Sequence, residues 1–480
     1  MKNVLELSLL EISNMLKNHE ISSEELTKLC FENIKKNAHL NAVLSIREED
    51  AIKEAKLADK ILSENGGSYL TGVPIIIKDN INLTGTKTTC ASKFLENYES
   101  VYDASVVEKL KNEHAVILGK ANMDEFAMGS SNENSAFGAC LNPIDNSRVT
   151  GGSSGGSACS VKANLCFASL GSDTGGSIRQ PASFCGVVGL KPTYGLVSRY
   201  GLVAFASSLD QIGPFTKTVK DSAIMLNAIA GYDNREFTSE NREKVDYLKN
   251  LNSSVKGLKI GVPTNFLEMG MDEDVKKAIN GAIKFFEDNG AQIINISLDN
   301  IDKSLSAYYV ISSAEACSNL GRFDGIRFGR RAENYHDLVD LYFKSRTEGF
   351  GKEVKRRIML GNFVLSSGYY DAYYKKAKSV QNLIKSDFEK AFEKVDVILS
   401  PTSPFTAFKI GEKINDHIKM YLSDIYTVPV NIAGLPAISI PCGEDKNNMP
   451  IGLQLIANKF CEQTLFNTAD FFETNKGGNN

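Results

Sequence analysis

No stretch of about 18 apolar residues occurs in this chain, so nothing in it is expected to span a membrane. The N-terminal MKNVLELSLLEISNMLKN has too few basic residues and too short an apolar run for a signal peptide. An excess of basic charge is also missing. The 54 basic and 58 acidic residues leave a formal charge of −4 and no footprint for gripping nucleic acid directly. Any RNA contact is therefore expected to fall mostly to a partner. The nine cysteines form no CxxC pair and no Cys/His set at metal-ligand spacing. Their odd number argues against a secreted disulfide framework, so they are expected to be reduced, mostly buried thiols in a cytoplasmic protein with no metal site. Only five histidines are present, at 19, 39, 114, 336 and 417, which leaves little material for histidine-dependent hydrolysis.

What is there is a large apolar fraction, 42 % of 480 residues, enough for an extensive core. The first 65 or so residues have helical texture. Leu5, Leu9, Ile12 and Leu16 recur at helical intervals, and Ser8 with Glu11, and Ser22 with Glu25, stand at capping-box spacing. Val73 to Lys78 and Ala115 to Leu118 are short apolar runs without alternation, as in strands buried on both faces. A Gly/Ser-rich core follows within residues 70–230, and a polar excursion at 233–256 is expected at the surface or between halves. The segment from Leu258 to Ile296 reads as strand, amphipathic helix, Gly290 cap and strand, a βαβ unit. Residues 301–393 read as a helical insertion, late strands are expected near 395–399, 437–440 and 451–456, and the terminal GGNN as frayed. Strands at both ends with helices between predict a single α/β/α domain over 1–480, with a mixed central sheet flanked by helices.

Two segments can carry chemistry: GGSSGGS at 151–157 and GSDTGGSIRQP at 171–181. Neither is a P-loop, and GxGxxG is absent. Gly151-Gly-Ser153-Ser-Gly155 satisfies the nucleophile-elbow pattern, but that mechanism needs a later histidine, and His336 and His417 lie in charged, surface-like segments. A serine hydrolase with a lysine base fits better. Lys78 ends a run of three isoleucines, where burial disfavours the charged amine. A second serine can carry the proton between the amine and the nucleophile, and the glycine-rich Thr174–Ser177 backbone can turn its N–H groups on one spot.

With these residues the chain resembles the amidase signature family. GGSSGGS and GSDTGGSIRQPASFCG are that family's hallmark, the two serines stand 24 residues apart as the family requires, and Pro74-Ile-Ile-Ile-Lys-Asp79 also matches. The resemblance implies Ser177 as acylated nucleophile, Ser153 as bridging serine behind a cis peptide, and Lys78 as base. It further implies Thr174, Gly175 and Gly176, with Ser177, as oxyanion donors, and Asp173 and Arg179 as supports. Three segments, 308–315, 321–328 and 354–361, resemble the branch of the family that feeds ammonia from glutamine to tRNA-dependent amidotransferases. That likeness implies Arg357 at the α-carboxylate of glutamine, Asp424 at its α-ammonium, and Tyr308 beside the substrate. It also implies a heterotrimer with companion B and C subunits, tRNA held through the partner, ATP and Mg on the partner, and no cofactor in this chain.

Plainer readings stand beside these. Lys78 could snorkel from a strand end, Ser153 and Ser177 could cap helices, Arg357 could belong to a solvated face with Lys355 and Arg356, and Asp424 could sit in a turn or an N-cap. Ser253-Ser-Val-Lys256 matches SxxK in the polar excursion and reads as accidental. A stand-alone amidase acting on another carboxamide and a non-catalytic assembly protein are the competing functions.

Overall fold

A computed structural model describes residues 3–64, 66–249, 251, 254–267, 270–413 and 417–476. Ser253 and the terminal GGNN lie outside the described residues. The strands are β1 (Val43–Ile46), β2 (Pro74–Lys78), β3 (Val116–Ala121), β4 (Ala168–Asp173), β5 (Val188–Lys191), β6 (Gln211–Thr216), β7 (Lys259–Pro263), β8 (Gln292–Ile296), β9 (Val397–Pro401), β10 (Ala437–Glu444) and β11 (Pro450–Ala457). All belong to one sheet in the order β1-β3-β2-β4-β6-β5-β10-β11-β9-β7-β8.

The sheet is mixed, as expected. β2 runs parallel to both β3 and β4, and every residue of these three strands is buried. Cover on both faces explains why their sequences show apolar runs rather than alternation. β4 pairs antiparallel with β6, and β10 lies antiparallel between β5 and β11. At the far edge, β7 and β8 are parallel, joined by the helix Glu273–Asp288, which buries Val275, Ile279, Ala282 and Phe286. Gly290, at φ +88°, ends that helix in the left-handed conformation glycine permits. The sheet runs through β6 and β7 on either side of the polar excursion, so no second sheet begins there.

The N-terminal stretch is helical at Leu9–Lys17, Ser23–Lys36 and Glu48–Ser63. Ser8 and Glu11 form the full reciprocal capping box, and the Ser22 hydroxyl accepts from the Glu25 N–H at 3.1 Å. The helical reading fails at β1. Val43–Ile46 is too short to hold a helix and pairs antiparallel with β3, where its backbone groups are satisfied.

The helical insertion comprises Ser304–Leu320, Leu338–Gly349, Lys352–Leu365 and Lys376–Phe392. Ser304–Leu320 and Lys352–Leu365 touch through Gly361, where a Cβ would lie 2.0 Å from the Ser313 carbonyl. The insertion has its own apolar cluster, including Ile311, Leu320, Val354, Ile384 and Phe388, which reaches the sheet at Ile398 and Ile456. Among the described residues no helix is long and apolar enough to cross a membrane.

Candidate active site

β2 delivers Lys78 at its last residue. Ile75, Ile76 and Ile77 fill the strand's surroundings, and the lysine has no exposed surface. The plain reading of a snorkelling strand-end lysine is therefore overturned. Its Nζ lies 2.8 Å from Ser153 Oγ, 2.8 Å from Ser154 Oγ, and 2.9 Å from Ser172 Oγ. Hydroxyls can donate to a neutral amine as well as accept from a charged one, so this shell tolerates either state. Burial pulls the Lys78 pKa down to about 7, while the more distant Asp124, Asp173 and Asp210 act in the opposite direction.

Ser153 and Ser154 come from the turn that enters the helix Gly155–Lys162, and Ser172 comes from β4, the strand beside β2. The Gly152–Ser153 peptide is cis, as the resemblance implies. Only glycine fits at 152, because a Cβ there would lie 2.0 Å from Asp124 Oδ2. The Ser154 N–H donates to the Ser177 carbonyl at 3.2 Å, which clips the two Gly/Ser segments together. Ser177 itself is 7 % exposed, more than Lys78 or Ser153, and among the described residues its hydroxyl makes no hydrogen bond.

The Thr174–Ser177 backbone differs from expectation at one point. The Gly176 N–H is taken by Asp173 Oδ1 at 2.8 Å, because a buried carboxylate captures the nearest donor. Gly176 is therefore corrected from an oxyanion donor to a residue that gives the chain room. At φ +133° a Cβ there would lie 2.2 Å from Thr427 Oγ1. Among the described residues the N–H groups of Thr174, Gly175 and Ser177 have no protein acceptor. Thr174 is fixed by its hydroxyl, which donates to Asp210 Oδ1 at 2.6 Å.

Asp173 and Arg179 form a closed brace. Arg179 Nη2 meets Asp173 Oδ1 at 3.1 Å, and the guanidinium also donates to the Thr427 carbonyl, Gln454 Oε1 and Asn431 Oδ1. Against burial, which acts the other way, Arg179 holds the Asp173 carboxyl down at about 2.

A cavity of about 330 Å³ is lined by Ser130, Ser131, Glu133, Glu353, Arg357 and Tyr421 among others. Arg357 is 4 % exposed, unlike its neighbour Arg356, so the plain reading of a solvated basic face does not hold for it. Its guanidinium lies 4.4 Å from the Tyr309 ring centre and 5.3 Å from that of Tyr421. Arg357 Nη1, Ser131 Oγ and Glu133 Oε2 are buried atoms with no hydrogen-bond partner. A donor and two potential acceptors left without partners on one cavity suit a polar guest. Asp424 is buried and accepts from the Ser130 hydroxyl, and burial raises its carboxyl to about 7. Tyr308 is buried with its ring against Gly175, where a Cβ would lie 2.7 Å from the hydroxyl, and the ring beside Arg357 belongs to Tyr309.

Spacing did not reveal Ser154, Ser172, Asp124, Asp210 or Tyr309. Ser154 and Ser172 adjoin residues already singled out, so hydroxyl content next to Ser153 and Asp173 was the available signal. Among the described residues no group of three or more His, Cys, Asp or Glu could hold a metal ion.

The mixed eleven-stranded sheet thus brings a buried lysine among serines from two Gly/Ser segments. The chain belongs to the amidase family, whose sequence profile, described as Amidase, matches residues 25–466. It is 61 % identical over 464 residues to the A subunit of glutamyl-tRNA(Gln) amidotransferase from Caldanaerobacter subterraneus, covering 96 % of this chain and 95 % of that one. The protein of the same name from Thermoanaerobacter pseudethanolicus is 58 % identical, covering 97 % and 96 %. Among solved structures, the A subunit of glutamyl-tRNA(Gln) amidotransferase from Thermotoga maritima superposes with a TM-score of 0.82 at 46 % identity, covering 99 % of this chain and 96 % of that one. The peptide amidase of Stenotrophomonas maltophilia superposes at 0.83 with 27 % identity, covering 97 % and 96 %.

Proposed function

We propose that this chain is the glutamine-hydrolysing component of a tRNA-dependent amidotransferase, releasing ammonia for conversion of Glu-tRNA(Gln), or of Asp-tRNA(Asn), to the amidated form. Relatives at 56–61 % identity over nearly the whole chain support this reading over a stand-alone amidase, since the amidase structures stand at 27–28 %. Companion B and C subunits complete a cytoplasmic heterotrimer, and a partner subunit uses ATP and Mg and holds the tRNA.

Glutamine enters the cavity with its α-carboxylate at Arg357 and its α-ammonium at Asp424. Tyr308, packed on Gly175, walls the approach to the oxyanion donors. Neutral Lys78 takes the proton of Ser153, and Ser153 takes that of Ser177 as Ser177 Oγ attacks the carboxamide carbon. The oxyanion is received by the N–H groups of Thr174, Gly175 and Ser177. The relay then returns a proton to the departing nitrogen, and ammonia leaves. Water, deprotonated by the same relay, hydrolyses the glutamyl ester and restores Ser177.

The observation that supports this most is a lysine amine with no exposed surface, 2.8 Å from the Ser153 hydroxyl and with its pKa lowered to about 7. The test is ammonia release from glutamine by Ser177→Ala, measured with a circular dichroism spectrum to establish folding. A loss of about 10⁴-fold or more is expected. A folded Ser177→Ala protein with near wild-type turnover would remove Ser177 from the chemistry.

A further inference from the structure

Glu353 lies four residues before Arg357 in the helix Lys352–Leu365, on the wall of the same cavity, and is 8 % exposed. Both of its carboxylate oxygens are engaged. Oε1 accepts from Arg357 Nε at 2.7 Å and from the Tyr421 hydroxyl at 3.2 Å, and Oε2 accepts from Arg356. Tyr421 in turn stacks on Tyr309 at 3.9 Å between ring centres, and its carbonyl accepts from the Asp424 N–H at 3.2 Å. One carboxylate thus touches Arg357 and the segment that carries Asp424.

A buried guanidinium flanked by aromatic faces has nothing in those faces to fix its rotation. Glu353 supplies that, because it occupies the Nε edge and leaves Nη1, the atom without a partner, for a ligand. We infer that Glu353 is a positioning residue that sets discrimination for substrates bearing a free α-carboxylate, by holding Arg357 so that its Nη edge faces the cavity. This inference rests on the glutamine reading of the site given above.

The test compares Glu353→Ala, Glu353→Gln and Arg357→Ala, each as the full chain purified with its accompanying subunits. Substrates are glutamine and 4-aminobutyramide, which lacks the α-carboxylate. Glu353→Ala is expected to raise KM for glutamine by about 10-fold or more with kcat within about twofold, and to leave kcat/KM for 4-aminobutyramide unchanged. Glu353→Gln, which keeps an acceptor for Nε, is expected to recover most of the loss. The double variant Glu353→Ala/Arg357→Ala is expected to lose no more than Arg357→Ala alone, because the first residue acts only through the second. A KM within twofold of wild type in Glu353→Ala, beside a raised KM in Arg357→Ala, overturns the role given to Glu353. So does an equal loss on both substrates, or additivity in the double variant. A wild-type KM in Arg357→Ala sinks the glutamine reading and this inference with it.

Discussion

Two lysines sit side by side in the sheet and do opposite things. Lys78 ends β2, and Lys120 lies on β3, paired in register with Ile77. Both have fully buried side chains. Lys120 Nζ faces Asp79 at 3.5 Å and also bonds the Ile81 carbonyl at 2.6 Å and Thr88 Oγ1 at 3.0 Å. Lys78 meets three serine hydroxyls and, among the described residues, has no carboxylate within ion-pair distance. Equal burial therefore does not fix the charge state of an amine. Burial lowers the pKa of both amines, but at Lys120 the Asp79 carboxylate opposes it from 3.5 Å, whereas the nearest partners of Lys78 are a shell of hydroxyls that can take or give a proton.

Mutation separates the two lysines most sharply. Lys78→Met is expected to lower glutamine hydrolysis by about 10³-fold or more. It should cost no stability. The folded-state pKa of Lys78 lies near 7, below the ordinary 10.5, so between those values the unfolded chain binds the extra proton and the buried neutral amine opposes folding. A thermal melt between pH 7 and 10 should place Lys78→Met at or above wild type. Lys120→Met should do the reverse: it strands Asp79 and costs roughly 3–5 kcal/mol in denaturant unfolding. Comparable destabilisation in both variants would erase the distinction.

Next in size is Asp424→Asn, expected to raise KM for glutamine about 10- to 100-fold with a smaller change in kcat, read in steady-state kinetics. The smallest effect sharpens the contrast through pH. In the proposed mechanism Lys78 acts when neutral and Asp424 holds an ammonium when charged, and burial brings both pKa values to about 7. Protonation of either removes activity, so kcat/KM should fall by about tenfold or more from pH 7 to pH 6. In Asp424→Asn the fall should be shallower, with one titrating group left. A profile flat down to pH 5 would contradict a neutral-lysine base.

Much of the frame was legible because local pattern and global fold agree. The isoleucine run before Lys78 is apolar without alternation because β2 is covered on both faces. The βαβ unit from β7 to β8 announces itself through amphipathic periodicity and a terminal glycine. β1 escaped because four residues carry too little pattern against the helices on either side. The shell around Lys78 escaped for a different reason. Ser154 and Ser172 stand 76 and 94 residues from it in sequence, and no spacing rule spans that distance. The same holds for Glu353 and Tyr421, which meet across 68 residues. Gly152, Gly175 and Gly176 each leave room for a different neighbour, which a glycine-rich string does not reveal.

The Arg179 brace has a consequence for the order in which the protein is made. Its guanidinium joins the second Gly/Ser segment to Thr427, Asn431 and Gln454, across 248 to 275 residues of chain. During synthesis the lysine and both serines leave the ribosome long before the groups that complete this clamp. A nascent chain halted ahead of residue 427 holds the lysine, both serines and the Asp173 counter-charge, yet lacks the three later acceptors that anchor its buried arginine. The clamp around the second Gly/Ser segment is thus completed only in the nearly finished polypeptide.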